Sequence, residues 1–418
     1  MKSIKGNSGI TLITLAVTIV VILILAGVTL DVTLGENGIL NKSKEAANRM
    51  NNLVKEDESE LNELLDELNE TMDSNWDSNI EIPDPDPEKP TDIEDVTDIQ
   101  DETVQVEDEY GNKVTIPKGF EVVEEEGTTV PEGIVIQDKD GNQFVWIPVG
   151  RVYKDNTGTN YSDIQLGRYT FDRTNGTPTL AQAAYTEENS KNYEQLVTVE
   201  KYYKEYANRE NPDGIDKPGL SGVNAIAKDL EGFVNSVKDY GGYYLARYEA
   251  SYGSGTSVAD YKPLSKVSIS TTFSTSTVGS LWNNVTQIDA AKISRNMYKN
   301  DNNVEVESDL VNSYAYDTAI LFIQYMSDSN YSNRSSINSK IMNTGTTGDK
   351  ICNIFDISSN CREWNTEYSS CTSTSAAGSG VLRGGYAPYD NNYSACRNNY
   401  YPKVSNNYFS FRVILYLK

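Results

Sequence analysis

The hydrophobic pattern divides the chain into segments of different kinds. Residues 10–30 form a run of 21 uncharged residues, which as a helix would be about 31 Å long and match a bilayer core of about 30 Å. Lys2 and Lys5 precede the run and Asp31 follows it. The pattern predicts a transmembrane helix over 10–35. Because positive charge favours the cytoplasmic side, the N-terminus is expected in the cytoplasm and the chain after the helix outside the cell. A cleaved secretory signal peptide is the alternative, although its apolar region is usually shorter.

The next segment, residues 36–72, has the pattern of an amphipathic helical stalk. Apolar side chains recur at steps of three and four residues between acidic ones, at Leu61, Leu64, Leu65, Leu68 and Met72. An apolar stripe has to be buried against a partner to contribute stability. The sequence therefore predicts either self-association through this helix or a solvated stalk with a weak stripe.

Residues 73–103 change abruptly to an acidic, proline-rich composition that predicts an extended linker. Four prolines lie among carboxylates, at Pro83, Pro85, Pro87 and Pro90. Residues 51–110 hold 23 acidic and 2 basic side chains, a net charge of −21, whereas the whole chain has −25. Most of the acidity therefore belongs to this region. An acidic chain is a poor partner for nucleic acid, whose affinity comes from Lys and Arg on phosphates.

Residues 104–418 show the mixed pattern of one large α+β domain. Two apolar runs flank a turn at Asp140 and Gly141, which predicts a hairpin. Gly241 and Gly242 lead into YYLARYEAS, which predicts a strand, and FSFRVILYLK at the end predicts a closing strand. Thr286 resembles a helix cap before QIDAAKISRNMY, and SYAYDTAILFIQYM has the apolar stripe of a second helix.

The amino-acid inventory excludes several kinds of chemistry. The chain contains no histidine, which rules out Ser-His-Asp and Cys-His nucleophile systems, histidine-ligated metals and an imidazole pH switch. Its four cysteines are Cys352, Cys361, Cys371 and Cys396, and their spacing matches no zinc pattern. One or two disulfides, or free buried thiols, are the interpretations that remain.

The N-terminus resembles that of type IV prepilins and pseudopilins. A short basic leader, MKSIKGNSG over 1–9, precedes ITLITL and the long apolar run. In that family a peptidase cuts after the glycine, so the resemblance implies processing between Gly9 and Ile10. The family usually has glutamate at the fifth mature position, where this chain has Thr14. Since that glutamate helps subunits to register in a filament, pilus assembly does not follow from the resemblance.

A second resemblance covers about 300 residues of the C-terminal domain. The run NIFDISSNCREWNTEYS over 353–369, VLRGGY over 381–386, the pair Cys396 and Arg397, and FSFRVILYL over 409–417 occur in this order. Together they resemble the formylglycine-generating-enzyme-like (sulfatase-modifying factor) family. The resemblance implies a variant of the C-type lectin fold for 104–418.

The same resemblance bears on catalysis and metals. The family's oxidases bind copper through two cysteines after the Gly-Gly pair, and those positions here are Tyr389 and Ser394. Its sulfoxide synthases need histidine-ligated iron, which this chain cannot form. The resemblance thus implies a non-catalytic domain that requires no cofactor, with a Cys396-dependent activity as the alternative. It also implies a calcium ion near Asn360 and Glu363, although the family's glycine is replaced by Ser359.

The shared motifs contain residue types that are suited to structural roles. Trp364 can fill a core, and Glu363 can pair with a buried arginine such as Arg383 or Arg412. Gly384 and Gly385 (the Gly-Gly pair) permit backbone geometry that other residues avoid.

The last 35 residues contain three Asn-Asn-Tyr triplets, which favour a binding surface. Tyrosine supplies rigid contact area and asparagine supplies adaptable hydrogen bonds, as in antibody loops. The predicted ligand-binding residues are Tyr386, Tyr389, Asn391, Asn392, Tyr393, Ser394, Asn398, Asn399, Tyr400, Asn406, Asn407 and Tyr408. Members of the fold also serve as variable proteins of diversity-generating retroelements, which mutate adenines. Asn and Tyr codons are adenine-rich, as they also are in an AT-rich genome.

Three functional classes follow from the sequence. The first is a membrane-anchored bacterial receptor or adhesin whose C-type-lectin-like domain binds an extracellular protein or glycan. The second is a pilin-like or pseudopilin-like structural subunit, and the third is a cysteine-dependent, formylglycine-generating-like enzyme.

Overall fold

The computed structural model of the chain describes residues 92–183, 203–205, 230–369, 379–387 and 392–418. These residues belong to one compact unit, Glu88–Lys418. The expected leader, membrane helix and stalk, over 1–9, 10–35 and 36–72, lie outside the described residues. No helix within the described ranges has the length and apolar character needed to cross a bilayer.

The described residues form twenty-one strands and three α-helices. The helices are α1 (Leu230–Tyr240), α2 (Gln287–Arg295) and α3 (Ser313–Met326). The strands are β1 (Val104–Glu107), β2 (Lys113–Ile116), β3 (Phe120–Val122), β4 (Val135–Asp138), β5 (Gln143–Pro148), β6 (Gly150–Tyr153), β7 (Tyr161–Ile164), β8 (Gly167–Phe171), β9 (Pro178–Ala183), β10 (Tyr203–Glu205), β11 (Gly242–Ala246), β12 (Ser251–Ser254), β13 (Lys262–Leu264), β14 (Val306–Leu310), β15 (Lys350–Ile351), β16 (Ile354–Phe355), β17 (Arg362–Ser369), β18 (Ser379–Arg383), β19 (Arg397–Tyr400), β20 (Phe409–Phe411) and β21 (Val413–Leu417).

A six-stranded antiparallel sheet contains the most apolar strands. Its order is β14-β21-β11-β5-β4-β3, so the last strand of the chain lies between β14 and β11. Every residue of β11 and β21 is buried, as expected for strands covered on both faces. Helix α1 packs on these two strands through Phe233, whose ring centroid lies 5.4 Å from that of Tyr243 and 5.7 Å from that of Tyr416.

A second sheet contains the motif strands of the C-terminal third. Its order is β10-β17-β18-β19, and β20 pairs in parallel with the start of β17. Five further strand pairs are hairpins or short ladders, namely β1-β2, β6-β7, β8-β9, β12-β13 and β15-β16. Strand β19, with the sequence RNNY, brings one Asn-Asn-Tyr triplet into the second sheet.

The two helices expected from the sequence are present. Thr286 caps α2, since its Oγ1 accepts a hydrogen bond from the Asp289 amide at 3.2 Å. Helix α3 begins after Asn312, whose Oδ1 accepts from the Ala315 amide at 2.9 Å. The expected apolar stripe is only part of its packing, because Ser313 to Gln324 are all buried. The helix contacts β5, β7, β8 and β17, so polar positions such as Asp317 are enclosed as well.

The expected hairpin at Asp140 and Gly141 joins β4 and β5, and a second hairpin repeats its turn. In β4-β5, Asp138 Oδ1 accepts from the amides of Asp140 and Asn142 at 2.9 and 2.8 Å. After β1, Asp108 Oδ1 accepts in the same way from the amides of Tyr110 and Asn112, at 3.0 and 2.8 Å. The sequences DEYGN and DKDGN thus specify the same turn, with a positive-φ glycine at the fourth position.

Three boundaries differ from the sequence expectation. The expected strand YYLARYEAS ends at Ala246. The expected closing strand is interrupted at Arg412, because β20 pairs in the second sheet and β21 in the six-stranded sheet. Residues 92–103, assigned to the linker from their acidity, belong to the folded unit, since Ile93 and Val96 are buried in its core.

Candidate functional site

Three arginines and two carboxylates form a buried ionic network between α3 and the second sheet. Arg168 Nη2 lies 2.5 Å from Glu367 Oε1, and Arg383 Nη2 lies 2.5 Å from Asp317 Oδ1. Arg397 joins both carboxylates, with Nε at 3.0 Å from Glu367 and Nη2 in contact with Asp317. These five residues, hereafter the ionic network, connect α3, β8, β17, β18 and β19.

The protonation of Glu367 shows how strongly these charges interact. Complete burial alone would raise the pKa of this carboxyl, because a low-dielectric environment disfavours the charged form. Arg397, Arg168 and Arg383 outweigh burial and lower the pKa to about 2. Glu367 is therefore ionised across the physiological range, and the network holds its strands together through charge-assisted hydrogen bonds.

A second buried ion pair joins the two sheets at the point where the terminal run is interrupted. Arg412 Nη2 lies 2.6 Å from Glu363 Oε1, and Arg412 Nη1 donates to the Ala246 carbonyl at 2.7 Å. The expected pairing of Glu363 with a buried arginine is confirmed for Arg412. Arg383 is instead a member of the ionic network.

The other shared motif residues have the structural roles expected of them. The Trp364 side chain is fully buried, and its Nε1 donates to the Val285 carbonyl at 2.9 Å. Gly384 has φ = +83°, and a Cβ on Gly385 would lie 1.9 Å from the Ser358 carbonyl oxygen. Only glycine fits this close approach of two backbone segments.

The two residues expected near calcium are engaged with protein groups. Asn360 is fully buried; its Nδ2 donates to Glu249, and its Oδ1 accepts from the Met342 amide at 2.8 Å. The Glu363 carboxylate accepts from Arg412. Within the described ranges, no three Cys, Asp or Glu side chains are grouped to hold a metal ion. A calcium ion at this place stays a prediction.

Two buried carboxyls near Asn360 favour their protonated forms. Burial raises the pKa of Asp356 to about 6, even though hydroxyls of Thr344 and Thr347 and the Gly345 amide donate to it. Burial, followed by the charges of Asp356 and Glu363, raises the pKa of Glu249 well above its ordinary value. This region of the core therefore becomes less favourable as its carboxyls ionise.

Aromatic, amide and guanidinium groups from separate segments meet in a half-buried row. The Arg173 guanidinium lies over the Tyr393 ring at 3.3 Å from its centroid. Asn392 precedes Tyr393 in the chain, and its Oδ1 accepts from Arg362 Nη2 at 2.7 Å. The Arg362 guanidinium in turn lies 3.9 Å from the centroid of Tyr386.

Tyr408 completes this row at its other end. Its ring centroid is 5.6 Å from that of Tyr386, and its carbonyl accepts from the Arg362 amide at 2.9 Å. The six residues Arg173, Tyr393, Asn392, Arg362, Tyr386 and Tyr408 are hereafter the arginine–tyrosine row. Arginine planes stack well on aromatic faces, so the row is pre-organised by contacts among its own members.

The remaining expected ligand-binding residues fall into three groups. Asn406 and Asn407 are exposed, and Tyr400 is 40% exposed with its ring edge-to-face on Phe409 at 4.8 Å. Asn398 is half-buried, and its Nδ2 donates to Cys396 Sγ at 2.9 Å. Tyr389, Asn391 and the side chain of Asn399 lie outside what the structure describes.

Ser394 and Cys396 are buried beside the row. The Ser394 side chain is fully buried, and its hydroxyl donates to the Tyr331 carbonyl, so it is not presented to solvent. Cys352, Cys361 and Cys396 are buried free thiols, whereas Cys371 lies outside the described residues. Burial raises the pKa of Cys352 to about 12 and that of Cys361 well above its ordinary value. Free buried thiols are thus confirmed for these three cysteines.

The sequence expectation missed two members of the row. Arg362 follows Cys361 in the CREW motif, and structural roles in the core were predicted only for its neighbours Glu363 and Trp364. Arg173 lies in the turn between β8 and β9, far in sequence from Tyr393, and nothing in its local sequence indicates the contact. Asn333 holds it, since its Oδ1 accepts from Arg173 Nη1 at 2.9 Å.

Comparison with known proteins gives no independent guide to this site. No protein-family model, no curated protein and no solved structure matches the chain.

Proposed function

We propose that this protein is a membrane-anchored cell-surface binding protein whose C-terminal domain is non-catalytic and presents the arginine–tyrosine row to an extracellular ligand. The observation that carries the proposal is the row itself, in which half-buried tyrosine and asparagine side chains from separate segments meet the exposed Arg173 and the buried Arg362. Tyrosine and arginine are, with tryptophan, enriched among the anchors of protein interfaces.

The fold proposed for this domain is a C-type-lectin-like one of the formylglycine-generating-enzyme-like kind. Its support is the placement of the resembling motifs. FVWIPV and YLA lie in the adjacent strands β5 and β11, and the chain ends in β21 beside them. The CREW and VLRGG motifs form the neighbouring strands β17 and β18 of the second sheet.

The non-catalytic character is supported by the residues at the family's copper positions. Copper in that family needs two thiolates, and this chain has Tyr389 and Ser394 at those places. Among the described residues, the thiol of Cys396 is free and contacts the amide groups of Asn392 and Asn398. The residues present therefore do not fit the copper centre.

Membrane anchorage and outward orientation rest on the N-terminal sequence. The 21 uncharged residues over 10–30 and the preceding Lys2 and Lys5 support them. Protease treatment of intact cells should release a fragment that begins near the start of the folded unit, at about residue 88. A domain that stays protected in intact cells would contradict this topology.

The binding proposal is tested with the full-length protein and two triple variants. The site variant carries Tyr393→Ser in the arginine–tyrosine row together with Tyr400→Ser and Asn407→Ser at exposed positions predicted to bind the ligand. The control variant carries Ile99→Ser, Tyr161→Ser and Val278→Ser. The control residues are exposed, at 39, 42 and 60%, and belong to other segments. The measurement is binding to an array of immobilised glycans and proteins, together with the melting temperature.

We expect the site variant to lose the array signals of the wild type while its melting temperature stays within about 4 °C. The control variant should keep these signals. Equal binding by the site variant and the wild type, or no array signal from the wild type, would contradict the proposal.

A further inference from the structure

The position of Arg173 bears on the chemistry of the ligand. It lies in the β8-β9 turn with its side chain exposed, and its guanidinium lies over the Tyr393 ring and donates to Asn333. Across the described ranges, no carboxylate lies within ion-pair distance of Arg173. The neighbouring Asp172 carboxylate accepts from the amides of Thr174 and Asn175 at 2.8 and 3.0 Å and so closes the turn.

Other arginines of the domain are held differently. Arg151, also exposed, lies over the Tyr161 ring at 4.0 Å but has Asp163 as an ion-pair partner at 3.1 Å. Arg168 and Arg383 have buried carboxylate partners. Arg173 is thus a fixed, exposed guanidinium in an acidic protein without a described carboxylate of its own.

The surroundings of Arg173 include a second arginine, which has its own carboxylate partner, and an exposed apolar side chain. The Arg334 side chain is 32% exposed and lies 3.8 Å from the buried Asp349 carboxylate, and its carbonyl accepts from the Ser394 amide at 3.0 Å. Ser335 forms an isolated bridge with Tyr393, and Ile337, just beyond, is 55% exposed. An exposed branched aliphatic side chain in this stretch is suited to a protein partner, since apolar anchors give protein interfaces much of their stability.

We infer that Arg173, with the arginine–tyrosine row, binds a carboxylate on an acidic segment of a partner protein. This inference rests on the proposed function and names the ligand class of the same site. A guanidinium donates two parallel N–H groups to a carboxylate. Because the Tyr393 ring and Asn333 already hold the Arg173 side chain, little rotamer entropy remains to be lost on binding.

The experiment uses four probes, each titrated into the full-length protein and followed by fluorescence anisotropy. Three are labelled peptides in which leucine alternates with glutamate, glutamine or lysine, and the fourth is labelled heparin. The variants are Arg173→Gln and Arg173→Lys, and the matched control is Arg151→Gln, which removes a stacked exposed arginine elsewhere.

The wild type should bind the glutamate peptide in preference to the glutamine and lysine peptides, more weakly at higher salt. Arg173→Gln should weaken this binding about tenfold, since a hydrogen bond to a charged group is lost. Arg173→Lys should fall between Arg173→Gln and the wild type, because it keeps the charge but not the planar fork. Arg151→Gln should bind as the wild type does.

Equal binding of the glutamate and glutamine peptides, or an equal loss in Arg173→Gln and Arg151→Gln, would overturn the inference. Preference for heparin over every peptide would overturn the assignment to a protein segment. If no peptide binds but the site variant with Tyr393→Ser loses its array signals, this inference fails and the proposed function stands. If the site variant keeps those signals, the proposed function itself fails.

Discussion

Two arginines at either end of one short stretch behave in opposite ways. Arg168, on β8, is fully buried and lies 2.5 Å from the Glu367 carboxylate in the ionic network. Arg173, in the turn just after β8, is exposed and lies on the Tyr393 ring. An arginine thus forms buried ion pairs at one position, and another arginine presents its positive charge to solvent a few residues later.

The difference lies in what holds each guanidinium. A buried charge is stable only with a matched opposite charge, so Arg168 and its neighbours are bound to Glu367 and Asp317. Arg173 is oriented by an aromatic face and an amide, and neither neutralises its charge. Substitutions in the ionic network are therefore expected to destabilise the domain, whereas substitution of Arg173 leaves no buried charge without a partner.

The largest expected effect comes from breaking the ionic network at Glu367. Glu367→Gln leaves three arginines buried around a neutral side chain, and should lower the free energy of unfolding by about 3–5 kcal/mol. Denaturant unfolding of the full-length protein measures this. The control Asp163→Asn removes the partner of exposed Arg151 and should change the free energy of unfolding by no more than about 1 kcal/mol. Similar losses in both variants would show that the ionic network is not the stronger element.

A comparable contrast is expected between two aromatic side chains of the second sheet and its loops. Trp364→Ala should cost about 3–5 kcal/mol, because it empties a fully buried site. Tyr401→Ala, at a side chain that is 44% exposed, should cost about 0.5 kcal/mol or less. The melting temperatures of the two variants give the comparison. A melting temperature of Tyr401→Ala as low as that of Trp364→Ala would place Tyr401 in the core.

A smaller effect concerns pH and separates the buried carboxyls from each other. Burial raises the pKa of Asp356 from 3.8 to about 6, so its stabilising proton is fully bound below about pH 4 and lost by about pH 6. Its contribution to stability therefore grows on acidification through this window. Glu367, with its pKa lowered to about 2, contributes stability above about pH 4.5 and loses it below that.

Asp356→Asn should remove a component of the pH dependence in which the unfolding free energy falls as the pH rises from about 4 to about 6. Urea unfolding of the wild type and this variant at several pH values measures the two slopes. Indistinguishable slopes would show that Asp356 does not titrate in this window.

The smallest expected effect on stability is at Arg173. Arg173→Gln removes a stacked surface cation and should change the free energy of unfolding by about 0.5 kcal/mol or less. Arg168→Gln, its buried counterpart, should destabilise by several times as much, because Glu367 loses one of its partners. Chemical unfolding of the pair sharpens the contrast, and equal destabilisation would remove the distinction between ionic network and row.

Features set by neighbouring residues could be predicted from the sequence. The turn at Asp140 and Gly141, the cap at Thr286 and the helix over 313–326 depend on patterns within a few residues, and each is present. The burial of Trp364 also follows from its type and motif. Such local patterns contain the information needed to place the elements that support the site.

Contacts between distant segments could not be predicted in the same way. The ionic network joins residues from Arg168 to Arg397, and no spacing rule links them. Arg173 reaches Tyr393 only because the β8-β9 turn lies against the C-terminal segment. Ile93 was missed for another reason, because its acidic surroundings have the composition of a linker although the side chain is buried.

The central claim is that exposed C-terminal side chains can change while the buried framework cannot, and one library experiment tests it. Two libraries of the full-length protein are displayed on cells and sorted for protease resistance. The first randomises exposed positions, which are Tyr401, Lys403, Val404, Ser405 and Asn407. The second randomises buried positions, which are Trp364, Leu382, Arg383, Phe411 and Arg412.

The measured quantity is the fraction of members in each library that resist the protease as the wild type does. We predict that most members of the exposed library remain resistant, since surface substitutions usually change stability by about 0.5 kcal/mol or less. Few members of the buried library should survive, because each position loses packing or a charge partner. Similar resistant fractions in the two libraries would contradict the account.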